Sequence, residues 1–219
     1  MIRALPMFGF PIFIDHIDPE LYEKDFIKSQ IQNNFNKNSL RNKWDNHSNI
    51  HHLLCDNNNI EYESLNFNSL LPLYDNSIKN LISKIKFKNN TSCSYKFHVV
   101  NYTCTSKDQF MTEHDHIESV PPNKTVFAAV HFLKFDNSHS STNFVNSLPF
   151  IRYINHLLPQ SFLQKIDEKD SSNSWLFHKF NLDIKEDDII FFPSLLIHNI
   201  DYQTSYNLRM SVSLNIIVE

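Results

Sequence analysis

A single glycine, Gly9, serves a chain of 219 residues. Glycine takes positive φ without steric penalty, so turns that need left-handed backbone must fall on Asn or Asp, the next most tolerant residues. Asparagine clusters such as Asn57-Asn58-Asn59 and Asn89-Asn90 supply them and carry no functional reading of their own. The three cysteines, Cys55, Cys93 and Cys104, are odd in number and show no C-x-x-C spacing. That argues against a disulfide framework and for a reduced, intracellular, cytoplasmic setting. No apolar run approaches the roughly 18 residues of a membrane span. Residues 1–14 are apolar with Arg3 near the start, but Pro6 and Pro11 interrupt them and no small-x-small site follows. They read as an early strand rather than a signal peptide. Net charge is −4, so no global basic field points to nucleic acid.

What is present fits an ordinary globular chain, with hydrophobic residues at 41%. One domain over 1–219 is expected, with no repeats and no coiled coil. Asp18-Pro19 resembles a helix start, and Ile27, Ile31 and Phe35 recur at i, i+4, i+8, which predicts a helix over about 19–35. Residues 36–66 are polar and irregular; His47, His51 and His52 within them read as a solvated loop. Ile78, Leu81, Ile82 and Ile85 predict an amphipathic helix over about 69–87. Strands are expected at 95–104, 125–135, 175–180, 189–192, 195–200 and 208–218, with a turn into a short strand at 139–144. Segment 147–173 mixes apolar residues with a Ser-rich tail. It reads as a lid with a short helix at 160–167. The fold class that follows is mainly β (α+β): residues 1–93 form an N-terminal strand and helical layer, and residues 94–219 a jelly-roll core.

The chemistry concentrates in two places. Glu113-His114-Asp115-His116-Ile117-Glu118 offers two imidazoles and three carboxylates within six residues. On a strand, His114, His116 and Glu118 share one face and Asp115 points to the other. An exposed polar strand end would carry the same residues. The second place is Glu186-Asp187-Asp188-Ile189-Ile190-Phe191-Phe192-Pro193-Ser194, followed by His198 and then Asn207-Leu208-Arg209-Met210-Ser211. Arg209 is flanked by apolar residues on an expected central strand, where an unpaired guanidinium is costly. Asn101 and Tyr102 are further pocket candidates, and His131 reads as a satisfied core histidine.

This combination resembles the iron(II)- and 2-oxoglutarate-dependent oxygenases, in particular the short oxygenases of phage and marine microbial genomes. Their pattern is H-x-D/E, or H-x-H in the phage-type group, then a G-D segment of apolar residues ending F-P, a distal His, and R-x-S about ten residues later. Here ten residues separate His198 from Arg209, and Arg209-x-Ser211 is intact. The resemblance covers roughly residues 97–218. One position departs: Asp187 stands where the family has glycine.

The resemblance implies a double-stranded β-helix (cupin-like jelly-roll) that binds Fe(II) through His114, His116 and His198. The rival face is His116, Glu118 and His198. Arg209, assisted by Ser211, would hold the far carboxylate of the cosubstrate 2-oxoglutarate, since a planar guanidinium makes two parallel bonds that lysine cannot. Activity would be that of a dioxygenase, in the form of a hydroxylase, supported by ascorbate. The substrate would be a small molecule or a peptidyl side chain, with neither nucleic acid nor membrane as partner. Two alternatives stay open: a cupin-like metal enzyme without 2-oxoglutarate, and a non-catalytic jelly-roll binding or structural module.

Overall fold

The computed structural model describes residues 3–7, 10–40, 45, 47–54, 65–88, 93–117, 125–147, 151 and 157–219. Its strands, in chain order, are β1 (Arg3–Met7), β2 (Phe10–His16), β3 (His51–Leu54), β4 (Tyr95–Thr105), β5 (Met111–His114), β6 (Thr125–Lys134), β7 (Thr142–Val145), β8 (Lys179–Asn181), β9 (Asp188–Pro193), β10 (His198–Ile200) and β11 (Arg209–Val218). The helices are α1 (Lys24–Lys37), α2 (Leu71–Ile82) and the single turn α3 (Gln160–Leu163). The strands form two antiparallel sheets. The larger has seven strands in the order β1-β2-β9-β6-β11-β4-β3, and the smaller four in the order β5-β10-β7-β8. Two facing antiparallel sheets with few helices make the jelly-roll expected from the strand pattern.

The larger sheet is buried on both faces, and residue parity assigns each side chain to a face. Ala129, Leu133, Ile189, Phe191, Met210, Val212, Leu214 and Ile216 point outward onto Ile27 and Ile31 of α1 and Tyr74, Ile78 and Leu81 of α2. Ala128, Val130, Phe132, Ile190 and Phe192 point inward and meet Phe144 and Phe180 of the smaller sheet. Strand β11 departs from the apolar rule on its inner face, where Arg209, Ser211, Ser213 and Asn215 alternate with the outward apolar set, all of them buried. A row of buried polar groups is tolerated only where partners or a ligand satisfy them. The row therefore marks one part of the interior as something other than core.

The helices expected at 69–87 and 160–167 and the strand expected at 195–200 are shorter than expected, the early strand is two, and four further departures have a visible cause. Pro19 opens only a short 3-10 turn, Pro19–Leu21, capped by Asp18, after which Tyr22 is extended and α1 begins at Lys24. The break lets buried Tyr22 donate from its hydroxyl to Asp187 Oδ1 at 2.5 Å. Within 36–66, residues His51–Leu54 are not loop but β3, paired with β4 at the sheet edge. Residues Ser171–Leu176 form a 3-10 helix rather than the start of a strand, because Asp170 Oδ1 accepts from both the backbone N–H and the hydroxyl of Ser172. Strand β5 ends at His114, where the expected strand ran on through Glu118. Asp115 Oδ1 there accepts from the Ile117 N–H at 3.0 Å, an Asx turn that closes the extended run. Glu118 itself, and residues 148–150 and 152–156 of the expected lid, lie outside the described residues.

The departure at Asp187 has a physical reading. The residue has φ of 66°, the left-handed region where glycine is the ordinary choice. Asp tolerates it, and its side chain joins a network that glycine could not: Tyr22 donates to one oxygen and Lys24 Nζ lies 2.5 Å from the other. Asp108, at φ 64°, is the other left-handed non-glycine residue among those described. Both turns thus use the fallback that a nearly glycine-free sequence requires.

Candidate functional site

Three histidines converge at the edge of the smaller sheet. His114 ends β5, and His198 begins β10 directly opposite it in the antiparallel register, with ring centroids 4.1 Å apart. His116 lies past the strand end. Its backbone N–H donates to Ser194 O at 2.8 Å, which turns the chain back so that its ring stacks 5.1 Å from that of His198. One nitrogen from each of the three falls within 4.8 Å of the others.

Each ring is oriented through Nδ1. His114 Nδ1 lies 2.9 Å from Thr112 O, His198 Nδ1 3.0 Å from Leu196 O, and His116 Nδ1 3.1 Å from Asn215 Oδ1. Donation from Nδ1–H to oxygen selects the tautomer whose lone pair is on Nε2. Burial, with its neighbours' charge added, holds His198 well below the usual imidazole value; burial likewise brings His114 down to about 4. Neutral imidazoles of fixed tautomer are the form that binds a divalent transition metal, and three on one side of the ion leave its other positions open.

The histidines line one part of a cavity of about 180 Å³ between the two sheets. Arg209 lines another part of the same cavity. It is fully buried, and among the described residues no carboxylate pairs with it; burial pulls the guanidinium down to about 10, so it remains charged at neutral pH. Its NH1 donates to Ser211 Oγ at 3.3 Å and its NH2 to Thr142 Oγ1 at 3.2 Å, while Nε has no acceptor among the described residues. Ser211 Oγ in turn is 2.7 Å from Thr103 Oγ1. The guanidinium also lies over Phe132, 5.2 Å from the ring centroid. A buried cation held only by neutral hydroxyls and an aromatic face is incomplete, and the anion that completes it must come from outside the described protein.

The structure therefore brings His114, His116, His198, Arg209 and Ser211 to one cavity, with Asn101 on its wall. Tyr102 faces away from it, bonded to Asn34 and His51 behind the sheet. Asp115, expected on the opposite face, stands on the cavity rim because the strand has already ended. His131 is a core histidine, 3.0 Å from the Tyr74 hydroxyl. Sequence reasoning missed Thr103, Thr142, Asn215 and His52. The first three follow from parity once β4, β7 and β11 are aligned; His52 needed a strand that the sequence does not announce. A bulge in β4, where Ser213 pairs with Asn101 and Leu214 with Val99, leaves Val100 unmatched and turns it into the cavity beside Asn101.

No family model matches the sequence, and no curated protein does. Solved structures do match, over nearly the whole chain. AviO1 from Streptomyces viridochromogenes is similar over 99% of this chain and 89% of its own, with a TM-score of 0.51 at 12% identity. A prolyl-4-hydroxylase from Pseudomonas putida covers 94% of this chain and 91% of its own, with a TM-score of 0.50 at 9% identity. A prolyl hydroxylase from Trichoplax adhaerens, in complex with a peptide fragment of the hypoxia inducible factor oxygen degradation domain, covers 95% and 83%, with a TM-score of 0.50 at 11% identity. The chain has the fold of the 2-oxoglutarate- and iron(II)-dependent oxygenases. At these identities the likeness is one of fold, and the chemistry rests on the residues of the cavity. No helix among the described residues is long and apolar enough to cross a membrane.

Proposed function

We propose that this protein is an iron(II)- and 2-oxoglutarate-dependent oxygenase acting as a hydroxylase. One observation carries the reading: a cavity that joins three converging, oriented imidazoles to a buried guanidinium that no carboxylate among the described residues pairs with. A cupin-like enzyme that used only the metal would gain nothing from Arg209, whose burial is costly.

The donor set fits the metal. His114, His116 and His198 present three nitrogens with no charge to neutralise, fixed by Thr112 O, Asn215 Oδ1 and Leu196 O. Bound there with 2-oxoglutarate and O₂, iron(II) supplies oxidative decarboxylation to succinate coupled to oxygenation of a substrate C–H bond. Arg209 would donate to the far carboxylate as a planar fork, with Ser211 Oγ and Thr142 Oγ1 accepting from its NH1 and NH2 and fixing the guanidinium. Val130 and Phe132 keep the surrounding wall apolar and exclude water around the charge. The substrate is a small molecule or a peptidyl side chain presented at the rim, where Asp115 and half-exposed Ile117 stand.

The test is stoichiometric. Purified protein loaded with iron(II) and given ascorbate and 2-oxoglutarate should release succinate, slowly without substrate and faster with it. Iron binding without 2-oxoglutarate binding would favour the cupin-like reading, and binding of neither would leave a non-catalytic module.

A further inference from the structure

Strand β5 carries His114, and its own sheet holds it weakly. It has four residues, Met111–His114, and lies at the sheet edge with β10 as its ladder partner. The register pairs His114 with His198 and Met111 with Ile200, with an irregularity between. Two residues of β5, Thr112 and Glu113, thus oppose one residue of β10, Asn199, and such a bulge disrupts the local ladder. Thr112 is nevertheless the residue whose carbonyl orients the His114 ring.

The outer edge of β5 is gripped by Asp45, Ser48 and Asn49, from a stretch whose sequence predicts a solvated loop. Asn49 and Phe110 exchange both backbone bonds, at 3.1 and 2.8 Å, just ahead of the strand. Ser48 Oγ accepts from the Thr112 N–H at 3.1 Å and donates to Asp45 Oδ2 at 2.6 Å. Thr112 Oγ1 donates to the same carboxylate oxygen at 3.0 Å, across 67 positions of chain. Asp45 Oδ1 accepts from the N–H groups of His47 and Ser48, the latter at 2.7 Å, so the side chain also caps its own turn. Burial would raise this carboxyl, but the bonds from Ser48, His47 and Thr112 outweigh it and hold it down at about 2. Hydrogen bonds to an ionised carboxylate are roughly twice as strong as neutral ones. Thr112 is therefore fixed at both its N–H and its hydroxyl. Its carbonyl direction follows, and that carbonyl lies 2.9 Å from His114 Nδ1.

We propose that Asp45 is a positioning residue for the metal site, which aims the ring of His114 through Ser48 and Thr112. The inference rests on the reading of His114, His116 and His198 as metal ligands. Asp45 lies outside the segment that carries the motif, and it supports a ligand whose own strand is short and irregularly paired. A ligand already aimed loses less freedom when the ion arrives, so removing the support weakens metal binding rather than the fold alone.

The experiment is competition for iron(II) between the oxygen-free protein and a chromophoric chelator, with a denaturant midpoint for each metal-free variant. Asp45→Asn keeps the shape but has one acceptor oxygen in place of two. It should bind iron about tenfold more weakly, the lower end of the roughly 10–100-fold range for partners of metal ligands, because it acts through Thr112. Thr112→Val, which removes only the hydroxyl, should show a similar loss, and Thr112→Ser, which keeps it, almost none. The double variant Asp45→Asn/Thr112→Val should be no weaker than Asp45→Asn, since both changes break one chain of contacts. Unchanged iron affinity in Asp45→Asn and Thr112→Val would overturn the proposal; a lowered midpoint with that affinity intact is the mark of a purely structural clamp. Additive losses in the double variant would overturn it too. If Asp45→Asn fails to fold, the contrast between Thr112→Val and Thr112→Ser decides, equal affinities counting against the proposal. An unmodified protein that binds no iron would sink the metal reading and this proposal with it, whereas the other failures leave the metal reading standing.

Discussion

The carboxamide oxygen of Asn215 lies 3.1 Å from Nδ1 of His116, linking the end of the polar row on β11 to the one proposed metal ligand that no strand holds. His116 sits inside the Asx turn from Asp115 to Ile117, so its ring direction depends on that contact and on the backbone bond to Ser194. Asn215→Leu should therefore lower iron affinity by about 10–100-fold while leaving the fold intact. Competition with a chromophoric chelator would measure it; unchanged affinity would show that His116 needs no such support.

Each histidine of the set should matter to the metal. His114→Ala, His116→Ala and His198→Ala should each lower iron stoichiometry of the folded protein. Glu118→Ala should retain iron. The reverse pattern, with iron lost in Glu118→Ala and kept in His114→Ala, would establish the carboxylate face in place of the three-histidine one.

Arg209→Lys should bind iron normally and 2-oxoglutarate poorly. The lysine keeps the charge but loses the fork that Ser211 and Thr142 orient. Loss of a buried charge-assisted contact is worth about 2–5 kcal/mol, or roughly one and a half to three and a half decades in affinity. Calorimetry on the iron-loaded variant would show equal binding if Arg209 plays no part.

Stability of the metal-free protein should fall on acidification. Burial depresses His131 to about 3 and His52 to about 4. The ordinary value is near 6.5, so between roughly pH 6.5 and pH 4 the unfolded chain takes up protons that the native chain refuses. Stability therefore drops as pH falls through that window, at up to about 1.4 kcal/mol per pH unit for each such histidine, and the loss levels off once the native imidazoles also protonate. Denaturant midpoints followed from neutral to about pH 4 would test it. A flat profile would mean that these rings are hydrated.

At Asp187 the backbone and side-chain contributions can be separated. Asp187→Gly removes the bonds to Tyr22 and Lys24 but suits φ of 66°; Asp187→Ala removes the bonds and keeps a Cβ in the left-handed region. Both should be destabilised, the alanine variant by about 1 kcal/mol more. Identical midpoints would indicate that the turn relaxes freely.

The parts of this molecule that repeat a period were legible in the sequence. Ile78, Leu81 and Ile82 mark α2, and the alternation from Arg209 to Ile216 marks β11 and both its faces. The histidines and arginine of the cavity were legible through type and spacing. His52 was not, because a four-residue edge strand shows too little alternation and is held by pairing with β4 rather than by its own pattern. Thr103 and Thr142 escaped for a related reason. A threonine on a strand is ordinary, and only the register reveals that each has a hydroxyl within reach of Ser211 or Arg209. The misplaced strand at 175–180 reflects local competition, since one aspartate cap at Asp170 outweighs the aromatic β-preference of Trp175.

Strand β11 carries two interleaved messages. Met210, Val212, Leu214 and Ile216 are read by the helices; Arg209, Ser211, Ser213 and Asn215 are read by whatever fills the cavity. Because parity keeps the two sets on opposite faces, substitutions in one register need not disturb the other. A lineage can retune its ligand through the odd positions while the even ones stay under selection for folding. One strand of ten residues is thereby both a structural member and an adjustable binding surface.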